Sequence, residues 1–322
     1  MISREYYNKK QLLFIFAADG EKLSVANENI VVKDKDGEVI HKSSCYKLFA
    51  VFVIGDTTIT TPLIKMSKKF MFSIYLMNAY MKVYEVIGSR MEGNTLLREK
   101  QYGYEDYELG RVIIVNKMNN QLNTLKKIRK KSSEDKESIK EIEYIINDFK
   151  KQDNINVRKI MGYEGAVAKI YFSTIYKELE WKSRKPRIKI DYINTTMDIG
   201  YNILFNLVDA LLSTFGFDNY CGVLHSKFFN RKSLVCDIIE PVRPIIDYEI
   251  RKNINLGIFK KSDFKKYGER YVLEWSKSKK YVREFAGVLN DYKDKIFIYI
   301  QSYYRAFMKE LKAEDFPKFE VN

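Results

Sequence analysis

The sequence predicts an α+β fold, in which a small β-rich N-terminal domain precedes a larger all-α C-terminal domain. Short apolar and β-branched runs dominate residues 1–90, whereas long helical patterns begin at about residue 95. Between them, residues 88–94 contain two glycines and no apolar periodicity, which is typical of a linker. We therefore predict two domains, at residues 1–90 and 95–322.

The chain is basic and rich in aromatic residues, and these properties restrict its partners. It has 322 residues, a hydrophobic fraction of 46%, a formal net charge of +14, 24 Tyr and 20 Phe. Such a charge predicts a polyanionic partner, nucleic acid first and an anionic membrane surface second. No apolar run approaches the roughly 20 residues of a spanning helix, and the N-terminus is too polar for a secretory signal. The 3 cysteines form no CxxC pair, so we expect a cytoplasmic protein without a disulfide framework.

The N-terminal part contains one clear hairpin signal and one helix signal. Asp36-Gly37 separates two β-prone runs within residues 28–43, which predicts a β-hairpin. Thr61-Pro62 predicts the first turn of a short helix, with the threonine as its cap. The other runs with strand character are residues 11–17, 49–60, 73–78 and 81–87.

The C-terminal part has helical periodicity throughout. Residues 109–131 predict a helix with a basic end, and the polar residues 132–137 predict a connection to the next helix. In residues 248–313 many lysines and tyrosines interleave, a pattern that suits nucleic-acid binding. At helical spacing such aromatic residues are more often core, and we interpret them so. Further helices are predicted at residues 137–151, 154–181 and 191–217.

One predicted helix carries a carboxylate where its core-facing stripe should be apolar. An unpaired buried carboxylate costs several kcal/mol, so we expect Glu164 to be protonated, paired with an arginine or bound to a metal. Gly162 and Gly165 flank it and leave room for another group to approach closely. The stripe, in steps of three and four, is Val157, Ile160, Glu164, Ala168, Tyr171 and Ile175.

A second unusual stretch holds one of the 2 histidines of the chain. His225 is followed by Asp237 and Glu240, which lie among apolar neighbours. An imidazole and carboxylates can hold a divalent cation, and nearby basic residues can hold a polyanion, as in nucleases. The other histidine, His41, lies in the predicted hairpin without acidic or cysteine neighbours, and we expect it at the surface.

Structural roles are open for the same residues. His225 can be a packed, hydrogen-bonded side chain. Asp237-x-x-Glu240 has the spacing of a capping box, in which both acids bind free amide groups at a helix start. A zinc ion bound by Cys221, His225 and Cys236 is a third alternative, although this set lacks paired cysteines and a clear fourth ligand.

These motifs resemble the CRISPR-associated spacer-acquisition integrase family, often called Cas-one. The resemblance covers most of the chain, with a β-rich N-terminal domain before a larger helical one. The motifs that carry it are GYEGAVAKIYF around Glu164, NTTMDIGY at residues 194–201, GVLH ending at His225, and SLVCDIIEPVRPIID around Asp237 and Glu240.

The resemblance implies a metal-dependent DNA endonuclease and integrase of CRISPR adaptation. Such an enzyme joins the 3′-hydroxyl ends of short double-stranded DNA to a repeat array by transesterification. The implied catalytic residues and ligands of Mg²⁺ or Mn²⁺ are Glu164, His225 and Glu240, with His225 as ligand or proton donor. Asp237 is the implied secondary acid, for ligation or orientation. Implied partners are a second copy, bound through the β-rich domain, a companion Cas-two dimer in a heterohexamer, and in some systems a trimming exonuclease.

Basic residues near these motifs are candidates for DNA phosphates, whereas Arg243 is expected to pair with acids near the site. The candidates are Arg158, Arg184, Lys227, Arg231 and Lys232. Two other functions compete with the integrase. One is a stand-alone metal-dependent DNase or branched-DNA nuclease, and the other is a noncatalytic, basic DNA-binding scaffold.

Overall fold

The computed structural model describes residues 3–78, 81–88, 91, 93–179, 181–185, 188–225 and 229–321. The predicted α+β class is confirmed, since strands dominate the N-terminal part and helices the rest. The strands are β1 (Gln11–Phe16), β2 (Lys22–Ala26), β3 (Asn29–Lys33), β4 (Val39–Ser44), β5 (Leu48–Ile54), β6 (Ser73–Met77), β7 (Val83–Gly88), β8 (Phe264–Tyr267) and β9 (Arg270–Leu273). The helices are α1 (Arg4–Asn8), α2 (Thr61–Lys69), α3 (Thr95–Tyr102), α4 (Glu108–Lys126), α5 (Ser133–Lys151), α6 (Val157–Ile175), α7 (Tyr192–Phe215), α8 (Ser233–Ile239), α9 (Arg243–Asn255) and α10 (Ser278–Met308).

Two sheets form the N-terminal part. The larger has the order β1-β5-β6-β7, in which β5 pairs in parallel with both β1 and β6. The smaller contains β2, β3 and β4, and its β3–β4 hairpin turns at Gly37, whose φ is 92°. The hairpin predicted at Asp36-Gly37 is therefore confirmed. His41 lies on β4 opposite Val32 and is exposed, as expected from the sequence.

The larger sheet has apolar residues on both faces because it lies between two cores. Successive side chains of a strand point to opposite faces. On β5, Phe52 and Ile54 belong to the main core, which also holds the helices, whereas Val51 and Val53 belong to a smaller core beneath α2. The main core thus runs from the sheet into the helices. The division into two domains and dimerisation through the first stay predictions.

The helices of the C-terminal part differ from the predicted ones at their ends. Helix α4 ends at Lys126, five residues before the predicted end of the basic helix. The stretch 132–137 was predicted as a connection, and this is wrong because Ser132 and Asp135 form a capping box that starts α5. Helix α7 is capped by Asp191, whose carboxylate accepts the Asn194 amide at 2.7 Å.

The C-terminal part is mostly helical but not all-α. Strands β8 and β9 form an antiparallel hairpin inside the stretch predicted to be helical. Gly268, with φ 59°, lies in its turn, a conformation that glycine adopts without steric cost. The sequence therefore contained a turn signal that the helical interpretation overlooked.

Helices α7 and α10 pack against each other and contribute many buried side chains to the main core. Gly200 permits close packing of α7, since a Cβ there would lie 2.5 Å from Ile246 Cγ2. The interpretation of the interleaved aromatic residues as core is confirmed on α10 by Tyr281, Phe285, Phe297, Tyr303 and Phe307, all of them buried. Within the described part of the chain, every helix is too short or too polar to cross a membrane.

Candidate active site

Two acids that are far apart in the sequence meet at one lysine, and we call Lys117, Glu164 and Glu240 the acid–lysine cluster. Lys117 projects from the middle of α4, Glu164 from α6, and Glu240 follows the last residue of α8. The Lys117 ammonium donates a hydrogen bond to Glu164 Oε1 and lies 2.6 Å from Glu240 Oε2. Glu164 is therefore paired, as one of its expected states required, but with a lysine instead of an arginine.

Lys117 was missed by the sequence reasoning, although its spacing contained a signal. Steps of four along α4 lead from the buried Ile113 to Lys117 and then to Gln121. Lys117 is 5% exposed and Gln121 1% exposed, so two polar side chains lie on the core-facing stripe. This is the same anomaly that identified Glu164 on α6.

The cluster is strongly charged despite its burial. Burial lowers the pKa of Lys117, but Glu240 and Glu164 raise it above its ordinary value, so the ammonium keeps its proton. Burial also raises the pKa of Glu240, but Arg243 and Lys117 reverse the effect and hold it at about 2. Arg243 Nη1 lies 3.1 Å from Glu240 Oε1, which confirms the expected pairing of Arg243 with an acid.

His225 is held in place by Asp237, which is completely buried. Asp237 Oδ1 lies 2.5 Å from His225 Nδ1. The same carboxylate accepts the backbone N–H groups of Val223, Leu224 and His225 at 2.7–3.1 Å. The capping-box interpretation of Asp237 and Glu240 is wrong, because both lie at the end of α8 and not at a helix start.

Gly222, the first residue of the GVLH motif, lets this loop pack closely on α8. A Cβ at Gly222 would lie 2.5 Å from Asp237 Oδ2 and 2.8 Å from the backbone carbon of Ser233. Any larger residue would therefore push the loop away from the carboxylate that binds its amides. The glycine and the aspartate act together to fix the backbone that carries His225.

The donor atoms fit a divalent cation in kind. Carboxylate oxygens and an imidazole nitrogen are ligands that Mn²⁺ accepts, and carboxylates are the usual ligands of Mg²⁺. Glu240 Oε2 is buried and makes no hydrogen bond to any described residue. Asp237 occupies His225 Nδ1, which leaves Nε2 as the nitrogen for a ligand or a proton.

The three predicted ligands, Glu164, His225 and Glu240, do not converge on one point in this structure. Among the residues that the structure describes, no three His, Cys, Asp or Glu side chains lie close enough together to hold a metal ion. Glu164 and Glu240 meet at Lys117, whereas His225 is paired with Asp237. Cys221, one of the residues of the zinc alternative, has its Sγ 3.6 Å from the carbonyl oxygen of Gln101, and that alternative stays untested.

A cleft of about 550 Å³ opens beside the cluster. Lys117, Glu164, Gly165 and Arg243 are among the residues that line it. Side chains added at Gly162 or Gly165 would meet nothing within 4 Å, so the predicted room beside Glu164 is present. Other cations of the cleft are Lys169, Lys182 and Arg184.

A second buried polar group lines the same cleft, and we call Asp247 with Tyr171, Tyr176 and Tyr201 the tyrosine cluster. The hydroxyls of Tyr201 and Tyr171 donate to the Asp247 carboxylate at 2.5 and 3.2 Å. The Tyr176 hydroxyl donates to the Asp247 carbonyl at 3.2 Å. Burial raises the pKa of Asp247 to about 6, although these hydroxyls and nearby cations favour the charged form.

The predicted DNA-binding residues differ in how far other side chains engage them, and all five stay predictions. Arg158 is exposed on the first turn of α6. Arg184 is bound to Asp198 at 2.8 Å, and Lys232 to the buried Asp209 at 2.9 Å. Arg231 is half-buried and lies close enough to Cys236 to favour its thiolate, although burial raises the pKa of that thiol. Lys227 lies outside the described residues.

The fold is that of Cas1 proteins and of a casposase. A chain of a "Cas6-RT-Cas1--Cas2 complex" matches with a TM-score of 0.80 and 20% identity, covering 98% of this chain and 36% of that longer chain. A "casposase bound to integration product" matches with a TM-score of 0.77 and 20% identity over 96% of this chain and 94% of that chain. A CAS1 protein from Thermotoga maritima gives 0.75 and 18%, with 92% and 97% covered.

Sequence comparison defines the family. The family model "CRISPR associated protein Cas1" matches residues 14–287. CRISPR-associated protein Cas1 3 of Methanobrevibacter ruminantium is 26% identical over 77% of this chain and 79% of its own length. CRISPR-associated endonuclease Cas1 4 of Methanospirillum hungatei is 28% identical over 76% and 70%. The chain belongs to the Cas1 family, as its resemblance to Cas-one proteins predicted.

Proposed function

We propose that this chain is a metal-dependent DNA endonuclease and integrase of CRISPR adaptation. It joins 3′-hydroxyl ends of short double-stranded DNA to a repeat array. The observation that carries the proposal is the meeting of Glu164 and Glu240 at one buried cationic point beside an open, basic cleft. Membership of a family whose relatives are named endonucleases supports the same conclusion.

Glu164, Glu240 and His225, through Nε2, are the proposed ligands of Mg²⁺ or Mn²⁺ and the proposed catalytic residues. When bound, the metal supplies positive charge that neutralises the scissile phosphate and stabilises the leaving 3′-oxygen. Arg243 holds Glu240 from the side opposite Lys117 and so fixes the direction of the carboxylate. The pKa of about 2 keeps Glu240 ionised at neutral pH, the state that a ligand requires.

Asp237 is proposed as the orienting acid rather than a ligand. Both of its oxygens bind the 223–225 backbone or His225, so few lone pairs are left for a cation. The contact with Nδ1 fixes the imidazole plane and directs Nε2 away from Asp237. Nε2 then either ligates or gives a proton to the leaving 3′-oxygen.

The reaction needs no external energy because one phosphodiester replaces another. The 3′-hydroxyl of the incoming DNA forms a bond to phosphorus of the repeat strand, and the bond to the original 3′-oxygen breaks. The attacking hydroxyl loses its proton, and the leaving oxygen gains one. Lys169 and Lys182, which line the cleft, are placed to hold the phosphates on either side of the scissile one.

The proposed partners follow from the family and from the charge of the chain. They are the incoming and repeat DNA duplexes, a second copy of this chain, and a Cas-two dimer in a heterohexamer. A solved chain with the same fold belongs to a complex named for Cas1 and Cas2, which supports the Cas-two proposal. A trimming exonuclease is a further proposed partner, and the proposed location is the cytoplasm.

The central test compares Glu164→Ala with Glu141→Ala, a change of the same kind at an exposed glutamate of α5. A labelled duplex with free 3′-hydroxyl ends is incubated with a repeat-containing plasmid, Mn²⁺ or Mg²⁺, and Cas-two. We expect strand transfer to fall at least about a hundredfold in Glu164→Ala and to be unchanged in Glu141→Ala. Wild-type rates in Glu164→Ala would support the noncatalytic scaffold instead.

A second assay separates an integrase from a stand-alone nuclease. Duplexes that end in 3′-deoxynucleotides have no attacking hydroxyl, so an integrase produces no joined product from them. A nuclease that uses water would cut the plasmid equally with either duplex. Joined product that requires the 3′-hydroxyl and increases with Cas-two supports the integrase, and cutting that ignores both supports the nuclease.

A further inference from the structure

Three buried polar atoms around Lys117 have no hydrogen-bond partner within the described part of the chain. They are Glu240 Oε2, Arg243 Nε and Gln121 Oε1. Buried polar atoms without partners are rare in folded proteins because each one costs desolvation energy. Glu240 Oε2 has the ion pair with Lys117, so Gln121 Oε1 and Arg243 Nε are the two atoms that this arrangement leaves without a polar partner among the described residues.

The Lys117 ammonium lies in the gap that a divalent cation shared by Glu164 and Glu240 would take. It donates to Glu164 Oε1 and makes its ion pair with Glu240 Oε2 at 2.6 Å, in a geometry that forms no hydrogen bond. Two cations cannot share this gap, because like charges at contact distance repel strongly in a buried site. Cation binding by both glutamates therefore requires the ammonium to move.

The structure contains an acceptor for the displaced ammonium. Gln121 follows Lys117 by one turn on the same face of α4, and both side chains line the cleft. Gln121 is 1% exposed, yet its Oε1 accepts nothing from any described residue. The flexible four-carbon stem of a lysine allows its ammonium to reach an amide oxygen one turn along. The Asp247 carboxylate, by contrast, is already taken by Tyr201 and Tyr171.

We propose that Lys117 is a positioning residue that acts as a built-in substitute for the metal. Its ammonium holds Glu164 and Glu240 together in the metal-free protein and moves to Gln121 Oε1 when a divalent cation binds. This inference rests on the proposed function in one respect, the assignment of Glu164 and Glu240 as ligands. Metal binding is then an exchange of one cation for another, and the two carboxylates never face each other unpaired.

The test measures Mn²⁺ binding to chelator-treated protein by calorimetry, without DNA, and thermal unfolding with and without Mn²⁺. Lys117→Met removes the competing charge at similar size, and Lys140→Met is the matched control on an exposed lysine of α5. We expect Lys117→Met to bind Mn²⁺ at least about tenfold more tightly than wild type. The melting temperature of Lys117→Met should fall in EDTA and recover with Mn²⁺, whereas Lys140→Met should show neither change.

Gln121→Met tests the acceptor by itself. Its melting temperature in EDTA should equal or exceed that of wild type, because an unpartnered buried oxygen is removed. Its Mn²⁺ affinity should fall about threefold or more, because the displaced ammonium loses its partner. A purely structural glutamine would give the reverse pattern, with lower stability and unchanged Mn²⁺ affinity.

The outcomes separate this inference from the proposed function. If Glu164→Gln and Glu240→Gln abolish Mn²⁺ binding but folded Lys117→Met binds no more tightly than wild type, the substitute role is overturned and the ligands stand. If both glutamine variants bind Mn²⁺ as wild type does, the ligand assignment itself fails. Should Lys117→Met not fold, unchanged Mn²⁺ affinity in Gln121→Met overturns the exchange.

Discussion

The acid–lysine cluster and the tyrosine cluster line the same cleft, and each buries a carboxylate almost completely. Asp247 is 1% exposed and Glu240 3% exposed. Both oxygens of Asp247 accept hydroxyl groups, whereas Glu240 Oε2 has an ion pair and no hydrogen bond to a described residue. The partners of Asp247 are neutral, and those of Glu240 are the cations Lys117 and Arg243.

Asp247 and Glu240 are about equally buried, but their pKa values are shifted in opposite directions. Burial raises the pKa of Asp247 to about 6, because neutral hydroxyls only partly offset the loss of water. The same effect on Glu240 is outweighed by Arg243 and Lys117, which hold its pKa at about 2. A carboxylate with neutral donors supports the helices around it, whereas under our proposal one with cationic partners can exchange a partner for a metal.

The largest expected difference between the clusters is in catalysis. Glu240→Gln should lower metal-dependent strand transfer about a thousandfold or more, since it removes a proposed ligand. Asp247→Asn should stay within about tenfold of wild type, because Asp247 is engaged by tyrosines rather than by the site. Rates from single-turnover assays, with folding checked by circular dichroism, decide this. Equal losses in both variants would abolish the distinction.

The next effect is on the pH dependence of stability. The folded-state pKa of Asp247 is about 6 against an ordinary 3.8, so the folded protein retains a proton that the unfolded chain releases. Asp247 therefore destabilises the fold increasingly from about pH 4 to pH 6, by up to about 3 kcal/mol. Asp247→Asn should remove that slope, as measured by urea unfolding across this range.

Glu240 provides the contrast for this measurement. Its pKa of about 2 lies below an ordinary 4.5, so its stabilisation is complete above about pH 4.5 and is lost as the pH falls toward 2. Glu240→Gln should thus lower the free energy of unfolding above about pH 4.5, and its difference from wild type should shrink as the pH falls toward 2. Identical profiles for the two variants would contradict the assignment of opposite roles.

A smaller effect is expected from one hydroxyl group of the tyrosine cluster. Tyr201→Phe leaves Asp247 Oδ1 without its donor and should lower the free energy of unfolding by about 2 kcal/mol. Tyr144→Phe on α5, where the side chain is 72% exposed, is the matched control and should change it by less than about 0.5 kcal/mol. Urea unfolding at neutral pH measures both. No difference between them would mean that the cluster is not a structural support.

The smallest effect concerns two predicted DNA contacts. Arg158 is exposed and has no ion pair with any described residue, whereas Arg184 is bound to Asp198 and Asn194. Arg158→Ala should weaken duplex binding a few fold and reduce the salt-dependence slope by about 1, with unchanged stability. Arg184→Ala should mainly lower the melting temperature. Fluorescence anisotropy at several salt concentrations, together with melting curves, would show whether the roles are reversed.

The sequence was sufficient to identify site residues that interrupt a local pattern. It was not sufficient to identify residues whose burial depends on side chains distant in the sequence. Glu164 was found because it interrupts an apolar stripe, and His225 because histidine is rare in this chain. Lys117 carries the same anomaly on α4, but long basic helices usually face solvent, so its burial depended on Glu164 and Glu240. No local rule pairs residues that lie 47 positions apart.

The sequence-based prediction was also wrong about the start of α8 and missed the β8–β9 hairpin. The capping interpretation of Asp237 assumed a helix that begins there, whereas Ser233 already starts α8. The β8–β9 hairpin was hidden in a lysine- and tyrosine-rich stretch that suits either state, and only Gly268 marks its turn. The hairpin at Gly37 was found because its flanking runs are β-branched.

The attachment of three successive amides to Asp237 has a consequence for sequence variation. Because the 223–225 backbone is tied to α8 by a side chain, the histidine does not depend on the path of the chain that follows it. Insertions or deletions between His225 and Ser233 should thus be tolerated across related proteins, whereas the spacing from Asp237 to Glu240 should be invariant. One helical turn sets the geometry between the imidazole and the acid, whatever the number of residues between His225 and α8.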